Sequence, residues 1–300
     1  MANFFYFIKK IIRAILPHRI IAFRRKLYLE KQIKQRLTKK KKLSFEIYLV
    51  DHCNLNCQCC GVFAPIADKK FYNVEKLEND FKRMHELADG KINRISLLGG
   101  EPLLHPDLLK ILDIAGKYFN KIDTNIVEIV TNAILLEKQS HEFWVSCKKN
   151  NIRITITKYP INLPFKKIER KGKEYDVIIK YNDNSKYTLK TFIKHTMNIA
   201  GSAEPIKSFR LCYKANNCTV LDDGKIYPCS ATSRIKYFNK HFKVDLKACD
   251  KDCIDIYESN LDEILEFLCK PVPFCRYCDT DKWVFDLDWA VSKKNISEWV

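Results

Sequence analysis

The strongest chemical signal in this sequence is a run of three cysteines. In the segment VDHCNLNCQCC, Cys53, Cys57 and Cys60 follow one another as C-x3-C-x2-C. Thiolates are soft ligands that suit iron–sulfur clusters or zinc. Three of them on one loop hold three irons of a four-iron cluster and leave the fourth open to a small chelating ligand. Structural zinc instead takes four protein ligands in a closed shell. Cys59 is available as a fourth, although adjacent residues such as Cys59 and Cys60 do not readily point at one ion. The chain has 13 cysteines, an odd number that leaves at least one thiol outside any disulfide scheme. In a reducing compartment, clustered thiols more often bind metal or do redox chemistry.

Two further groups of residues invite the same kind of reading. LLGGEPLLHP places Gly99, Gly100 and Glu101 at the end of an apolar run. Two glycines let a backbone approach a ligand closely, and Glu101 offers a carboxylate for an ammonium group. Downstream, Cys212 precedes Gly224 by eleven intervening residues, Cys229 follows after four more, and PFCRYCDT carries Cys275 and Cys278 as CxxC. Four thiolates from a hairpin and a loop enclose one ion or one cluster, with a stapling zinc as the alternative. Cys218 competes with Cys212 for the first position. Cys249, Cys253 and Cys269 are read as buried or incidental thiols and Cys147 as core.

These residues need elements to position them. FEIYLV (45–50) reads as a strand leading into the cysteine loop, 74–89 as a helix, INRISLL (92–98) as a strand, and 107–119 as a helix. NIVEIVT (125–131) reads as a strand, 137–149 as a helix and IRITIT (152–157) as a strand. Strands alternating with helices imply crossover units and a parallel sheet. Only part of an eightfold barrel fits before about residue 200, so the expected fold is α/β, a partial TIM-like barrel over 43–200. Its sites are expected at the carboxyl ends of the strands. TVLDDGKIYPC (219–229) predicts a hairpin turning at Asp223–Gly224, and 261–268 a short helix. Residues 201–300 are read as a small cysteine-rich module.

A net charge of +17 is concentrated at one end: residues 1–42 hold nine Lys and five Arg against one Glu, a charge of +13, leaving +4 for residues 43–300. This basic arm reads as two amphipathic helical pieces broken at Pro17. It suits an anionic membrane surface or packing on the protein body better than nucleic acid. The longest N-terminal apolar run, FFYFI, stops at Lys9 and Lys10, far short of the roughly 20 residues that span a bilayer. With no cleavage site for a secretory signal, the expected location is the cytoplasm, with the arm as a peripheral membrane contact.

The C-x3-C-x2-C loop after a strand, with GGE one β–α unit later, resembles the radical S-adenosylmethionine superfamily over roughly residues 45–200. The resemblance implies a [4Fe–4S] cluster on Cys53, Cys57 and Cys60 whose open iron chelates S-adenosylmethionine, with Gly99, Gly100 and Glu101 meeting the cofactor's amino group. Thr131 and Asn132 look like the family's strand-end TNG, with Ala133 in place of glycine, and are further cofactor contacts. Cys59 departs from the aromatic residue usual before the last cysteine. The later cysteines resemble the superfamily's auxiliary-cluster modules, SPASM in the longer form and twitch in the shorter. The shorter form fits, with Cys212, Cys229, Cys275 and Cys278 as ligands of an auxiliary [4Fe–4S] cluster. The implied activity is reductive cleavage of S-adenosylmethionine and oxidation of a small-molecule, sugar-like or peptide substrate, with a reductant such as flavodoxin or ferredoxin. The alternatives are a structural zinc protein and a radical modifier of nucleic acid.

Overall fold

The computed structural model describes residues 43–88, 92–119, 126–182 and 192–300, with scattered positions between 20 and 34. The helical pieces expected over 1–42, and their break at Pro17, otherwise lie outside the described residues.

Strand β1 (Leu43–Val50) is buried along most of its length and occupies an interior position of an eight-stranded sheet. Strands β2 (Ile92–Gly99), β3 (Ile126–Thr131), β4 (Ile152–Ile156) and β5 (Ile179–Tyr181) follow it in chain order, each parallel to the one before. Helices α1 (Val74–Ala88), α2 (Leu108–Phe119), α3 (His141–Lys149) and α4 (Phe165–Glu174) make the crossovers. In α1, Leu77, Phe81, Met84 and Ala88 are buried at helical spacing, and in α2 so are Leu108, Ile111, Leu112, Ala115 and Phe119. Their apolar faces and the strands form one core. The arrangement is a mixed α/β fold with a parallel sheet.

On its other side β1 pairs in parallel with β7 (Val220–Asp222), and β8 (Lys225–Tyr227) and β9 (Ile254–Asp255) continue antiparallel, so the later segment extends the same sheet. The hairpin between β7 and β8 turns at Asp223 and Gly224, both with positive φ of 52° and 75°, the conformation a two-residue type I′ turn requires. A short antiparallel pair, β6 (Phe192–Lys194) with β10 (Val284–Leu287), forms a second sheet. Helices α5 (Pro205–Leu211), α6 (Ser230–Phe242) and α7 (Leu261–Phe267) complete the order. A second apolar cluster joins Phe63 at the end of the cysteine loop to Met197, Phe238, Phe274 and Trp299, anchoring that loop to the carboxyl-terminal third. Among the described residues no helix is long and apolar enough to cross a membrane.

Helix α3 starts at His141 rather than at 137. Ala133 takes a φ of 65°, and turn bonds such as Leu136 N–H to Ala133 O at 3.2 Å carry the chain away from β3 first.

Candidate metal centre

The carboxyl end of β1 delivers the chain into the cysteine loop. Asn56, Cys59 and Phe63 have φ of 52°, 55° and 59°, a left-handed conformation that costs a non-glycine residue roughly 1–2 kcal/mol, least for Asn. The loop's amides turn onto its own sulfurs. Leu55 and Asn56 donate to the Cys53 sulfur, and Val62, Phe63 and Ala64 to that of Cys60. Leu55 N stands 3.4 Å from Cys53 Sγ. Cys57 draws donors from elsewhere: the Trp289 indole Nε1 at 3.3 Å and the Tyr159 hydroxyl beyond β4. Successive inward amides make a concavity that favours anionic sulfur.

Without a cation these thiols hold their protons. Burial pushes Cys53 up to about 11 and Cys57 up to about 12, and in the same direction Cys53 feels Glu101 and Cys60 while Cys57 feels Cys60 and Cys53. Burial raises Cys60 as well, against the pull of its amides. A bound metal group would displace those protons and make metal affinity pH-dependent. Among the described residues no three His, Cys, Asp or Glu side chains close around a single ion. The three thiols are neighbours within a ring of donors, which suits the sulfurs of a larger cluster. Cys59 lies apart, its charged surroundings being Glu298 and Lys194 before Cys60.

The end of β2 is locked beneath this loop. Gly99 has a φ of 152°, and a Cβ there would fall 2.2 Å from Val50 O; at Gly100 it would fall 1.9 Å from His52 O. Gly100 N donates to Val50 O at 2.6 Å and Glu101 N to His52 O at 3.1 Å. The close backbone approach anticipated for a ligand is thus, here, to the cysteine loop itself. Glu101 is 1% exposed. Its carboxylate accepts from Thr131 Oγ1 at 2.6 Å, Asn132 N at 3.0 Å and Leu103 N at 3.2 Å. Burial pushes the carboxyl up to about 7, and those three bonds pull it back down. Asn132 in turn donates to Asn54 Oδ1 at 2.8 Å and lies 3.7 Å from Cys53 Sγ. The ends of β1, β2 and β3 therefore bring Cys53, Glu101, Thr131 and Asn132 together.

Residues 47–185 match the family model described as the radical SAM superfamily. This segment is a radical SAM domain. The chain is similar to GTP 3′,8-cyclase of Clostridium botulinum strain Hall, 32% identical over 127 residues that cover 42% of this chain and 38% of the cyclase. It is also similar to the probable GTP 3′,8-cyclase of Thermoplasma volcanium, 31% identical over 100 residues, 33% of this chain and 28% of that one. The chain thus spans well under half the length of these curated relatives. Among solved structures, BtrN in complex with AdoMet and 2-DOIA aligns with a TM-score of 0.50 at 18% identity, over 80% of this chain and 94% of that chain. That likeness is one of fold.

Outside the radical SAM domain, the later cysteines form a second group. Cys275 and Cys278 both feel Cys229 and Cys212, and Cys278 also feels Cys275. Burial is the main cause that pushes Cys212 and Cys275 up to about 12. Cys218 feels Cys212 and Cys229 of this group as well, but its strongest charged neighbour is Glu46, to which its thiol is hydrogen-bonded. Cys249 caps the turn at 250–252, Cys253 bonds Tyr227, and Cys147 is wholly buried in the core.

Three site residues carry no signal in the sequence: Tyr159, Trp289 and Lys214. Buried Lys214 lies between the two cysteine groups. Its Nζ is 3.4 Å from Ser230 Oγ, and a Cβ on Gly61 would come within 2.5 Å of it. It is wedged between the residue after Cys60 and the residue after Cys229, and its charge acts on Cys60, Cys212, Cys218 and Cys278. A small cavity of about 140 Å³ is lined by Asp51, Lys70, Tyr72, Lys76, Asp222 and Arg234 among others. Its charges are largely paired internally, Arg234 with Asp222 at 2.9 Å and Lys76 with Asp223 at 2.7 Å.

Proposed function

We propose that this chain is a radical S-adenosylmethionine enzyme, with Cys53, Cys57 and Cys60 holding a [4Fe–4S] cluster and Gly99, Gly100, Glu101, Thr131 and Asn132 forming the cofactor side of the site. What supports the reading is the convergence of three donor-ringed thiols and one buried carboxylate at the carboxyl ends of adjacent parallel strands, where α/β folds build their sites. A cluster held there would supply one-electron reduction of the sulfonium of S-adenosylmethionine and, through it, hydrogen-atom abstraction from substrate. The chain's own part is to bind and orient. The amides of the loop favour anionic sulfur. Glu101, held by Thr131 and Asn132, presents a fixed negative charge to the cofactor's ammonium group, and the glycines seat its strand against the loop. We read β1–β5 as a segment of a barrel on this basis.

The second thiol group is proposed to hold an auxiliary [4Fe–4S] cluster on Cys212, Cys229, Cys275 and Cys278, as in a twitch-like module. Its support is the mutual proximity of these four thiols, beside which Lys214 is buried. A cluster held by all four thiols would leave no iron for substrate and would supply an electron acceptor, in keeping with a net oxidation of a sugar-like or peptide substrate. The first electron would come from a flavodoxin or ferredoxin. Residues 1–42 would bring their positive charge to an anionic membrane surface, a reading that rests on composition alone.

Anaerobic reconstitution tests the core of this reading. The expected content is about eight irons per chain, falling to about four in a Cys53/Cys57/Cys60→Ala variant, from two four-iron clusters. The reduced protein is expected to change its electron paramagnetic resonance spectrum on adding S-adenosylmethionine and to release 5′-deoxyadenosine. Iron that the triple substitution leaves untouched would sink the assignment.

A further inference from the structure

The sulfur of Cys57 differs from its two partners in where its donors come from. Cys53 and Cys60 accept from amides of their own loop, Cys53 also from Asn132 Nδ2 at 3.7 Å, whereas the donors to Cys57 all come from outside the loop, Trp289 among them at 3.3 Å and 232 residues away in sequence. The segment that carries Trp289 is strapped to the loop. Val291 bridges antiparallel to Cys57, Gln58 N donates to Ala290 O at 2.8 Å and Ser292 N to Asn56 O at 2.8 Å. Packing orients the indole as well: its ring meets Tyr159 edge-on at 6.5 Å, and Tyr159 stacks on Phe192 at 6.1 Å. The Tyr159 hydroxyl donates to the same sulfur. A second indole from this segment, that of Trp299, reaches the loop at 2.9 Å, but its acceptor is the Cys60 carbonyl and not a sulfur.

We infer that the Trp289 indole N–H, assisted by the Tyr159 hydroxyl, sets the reduction potential of the cluster held through Cys57. This rests on the reading of Cys53, Cys57 and Cys60 as cluster ligands. An indole N–H donates only, so at a ligated thiolate its bond is charge-assisted. Adding an electron places more negative charge on the cluster and its sulfurs. A donor fixed at one sulfur therefore stabilises the reduced state more than the oxidised one and raises the potential. The carboxyl-terminal segment thereby becomes part of the redox site, although it lies outside the radical SAM domain.

The test uses the full chain, reconstituted anaerobically, with iron counted and the midpoint potential read from the spectroscopic signal that responds to S-adenosylmethionine. Trp289→Phe keeps the ring and removes the N–H. It is expected to retain iron while its midpoint moves to more negative potential, by up to about a tenfold change in the reduction equilibrium, which is about 59 mV for a one-electron couple. Tyr159→Phe is expected to move it the same way, and Trp299→Phe to leave it in place. Full iron with unmoved midpoints in both Trp289→Phe and Tyr159→Phe overturns the inference and leaves the cluster reading standing. An equal shift in Trp299→Phe also overturns it, since the effect would then come from loosening the strap. Should Trp289→Phe fail to hold iron, Tyr159→Phe decides by the same criterion. A wild-type protein with no signal responsive to S-adenosylmethionine overturns the cluster reading and this inference with it.

Discussion

Glu101 offers a quantitative check on the site without any cofactor. Its carboxyl is fully buried and carried up to about 7 from an ordinary value of 4.5, burial outweighing the bonds from Thr131, Asn132 and Leu103. The folded protein thus holds this proton more tightly than the unfolded chain. The resulting stability is fully present below about pH 4.5 and is lost as pH rises through about 7. A gap of about 2.5 pH units corresponds to about 3 kcal/mol. Glu101→Gln keeps the shape and one acceptor oxygen but cannot titrate. Its amide leaves one of the three donors without a matched partner, a pH-independent loss of roughly 1–3 kcal/mol. Urea unfolding of the metal-free protein and of the variant, from about pH 4.5 to pH 8, isolates the effect, because every other group titrates alike in both. The wild type's advantage is expected to shrink by about 3 kcal/mol across that range. A difference that stays flat with pH would refute the placement of this carboxyl in a water-poor site. The same carboxyl, if it faces the cofactor's ammonium, is expected to lose its proton on S-adenosylmethionine binding at pH 7. Calorimetry in buffers of different ionisation enthalpy reads that release, and Glu101→Gln should abolish it.

Gly100→Ala puts a methyl carbon 1.9 Å from His52 O and 2.8 Å from Cys53 N, both backbone atoms with no flexible side chain to yield. It is expected to cost more than about 4 kcal/mol and to lose reconstituted iron, read by thermal melting and iron assay. Cys212→Ser is expected to remove about four irons while Cys218→Ser keeps them, because the serine hydroxyl can still donate to Glu46; iron lost in Cys218→Ser and kept in Cys212→Ser would reverse the choice between them. Cys147→Ser places a hydroxyl in the apolar core, where Cys147 is fully buried. It should destabilise by roughly 1–3 kcal/mol with iron content unchanged.

The parallel core was legible because strands buried on both faces read as apolar runs and the helices between them keep a 3.6-residue period. The runs at 45–50, 92–98, 125–131 and 152–157 became β1 to β4, displaced by one or two residues at half of their ends. Helix α6 escaped the same reasoning. It buries Ser230, Thr232, Ser233 and Arg234 beside Ile235, Tyr237 and Phe238, so its inward face is not an apolar stripe. Arg234 is inside because Asp222 and Asp51 pair with it, and those partners come from the ends of β7 and β1. The addition of β7 to β1 was equally invisible, since strand pairing across some 170 residues leaves no local period to read.

At the site, the types and spacing of the cysteines narrow the chemistry on offer to binding of soft metals: three thiols on one loop, GGE one unit later, and a CxxC downstream are covalent facts of the chain. Which groups meet those sulfurs is another matter. Asn132 from the end of β3, Tyr159 beyond β4 and Trp289 from the carboxyl-terminal segment arrive by packing, as does Lys214 between the two thiol groups. The bond of Cys218 to Glu46 is likewise a product of β1 and β7 lying side by side. Ligand identity is a property of residue type and can be read in one dimension. Hydrogen bonds and charge proximity depend on ångström-scale distances between remote segments, and only the folded chain sets those.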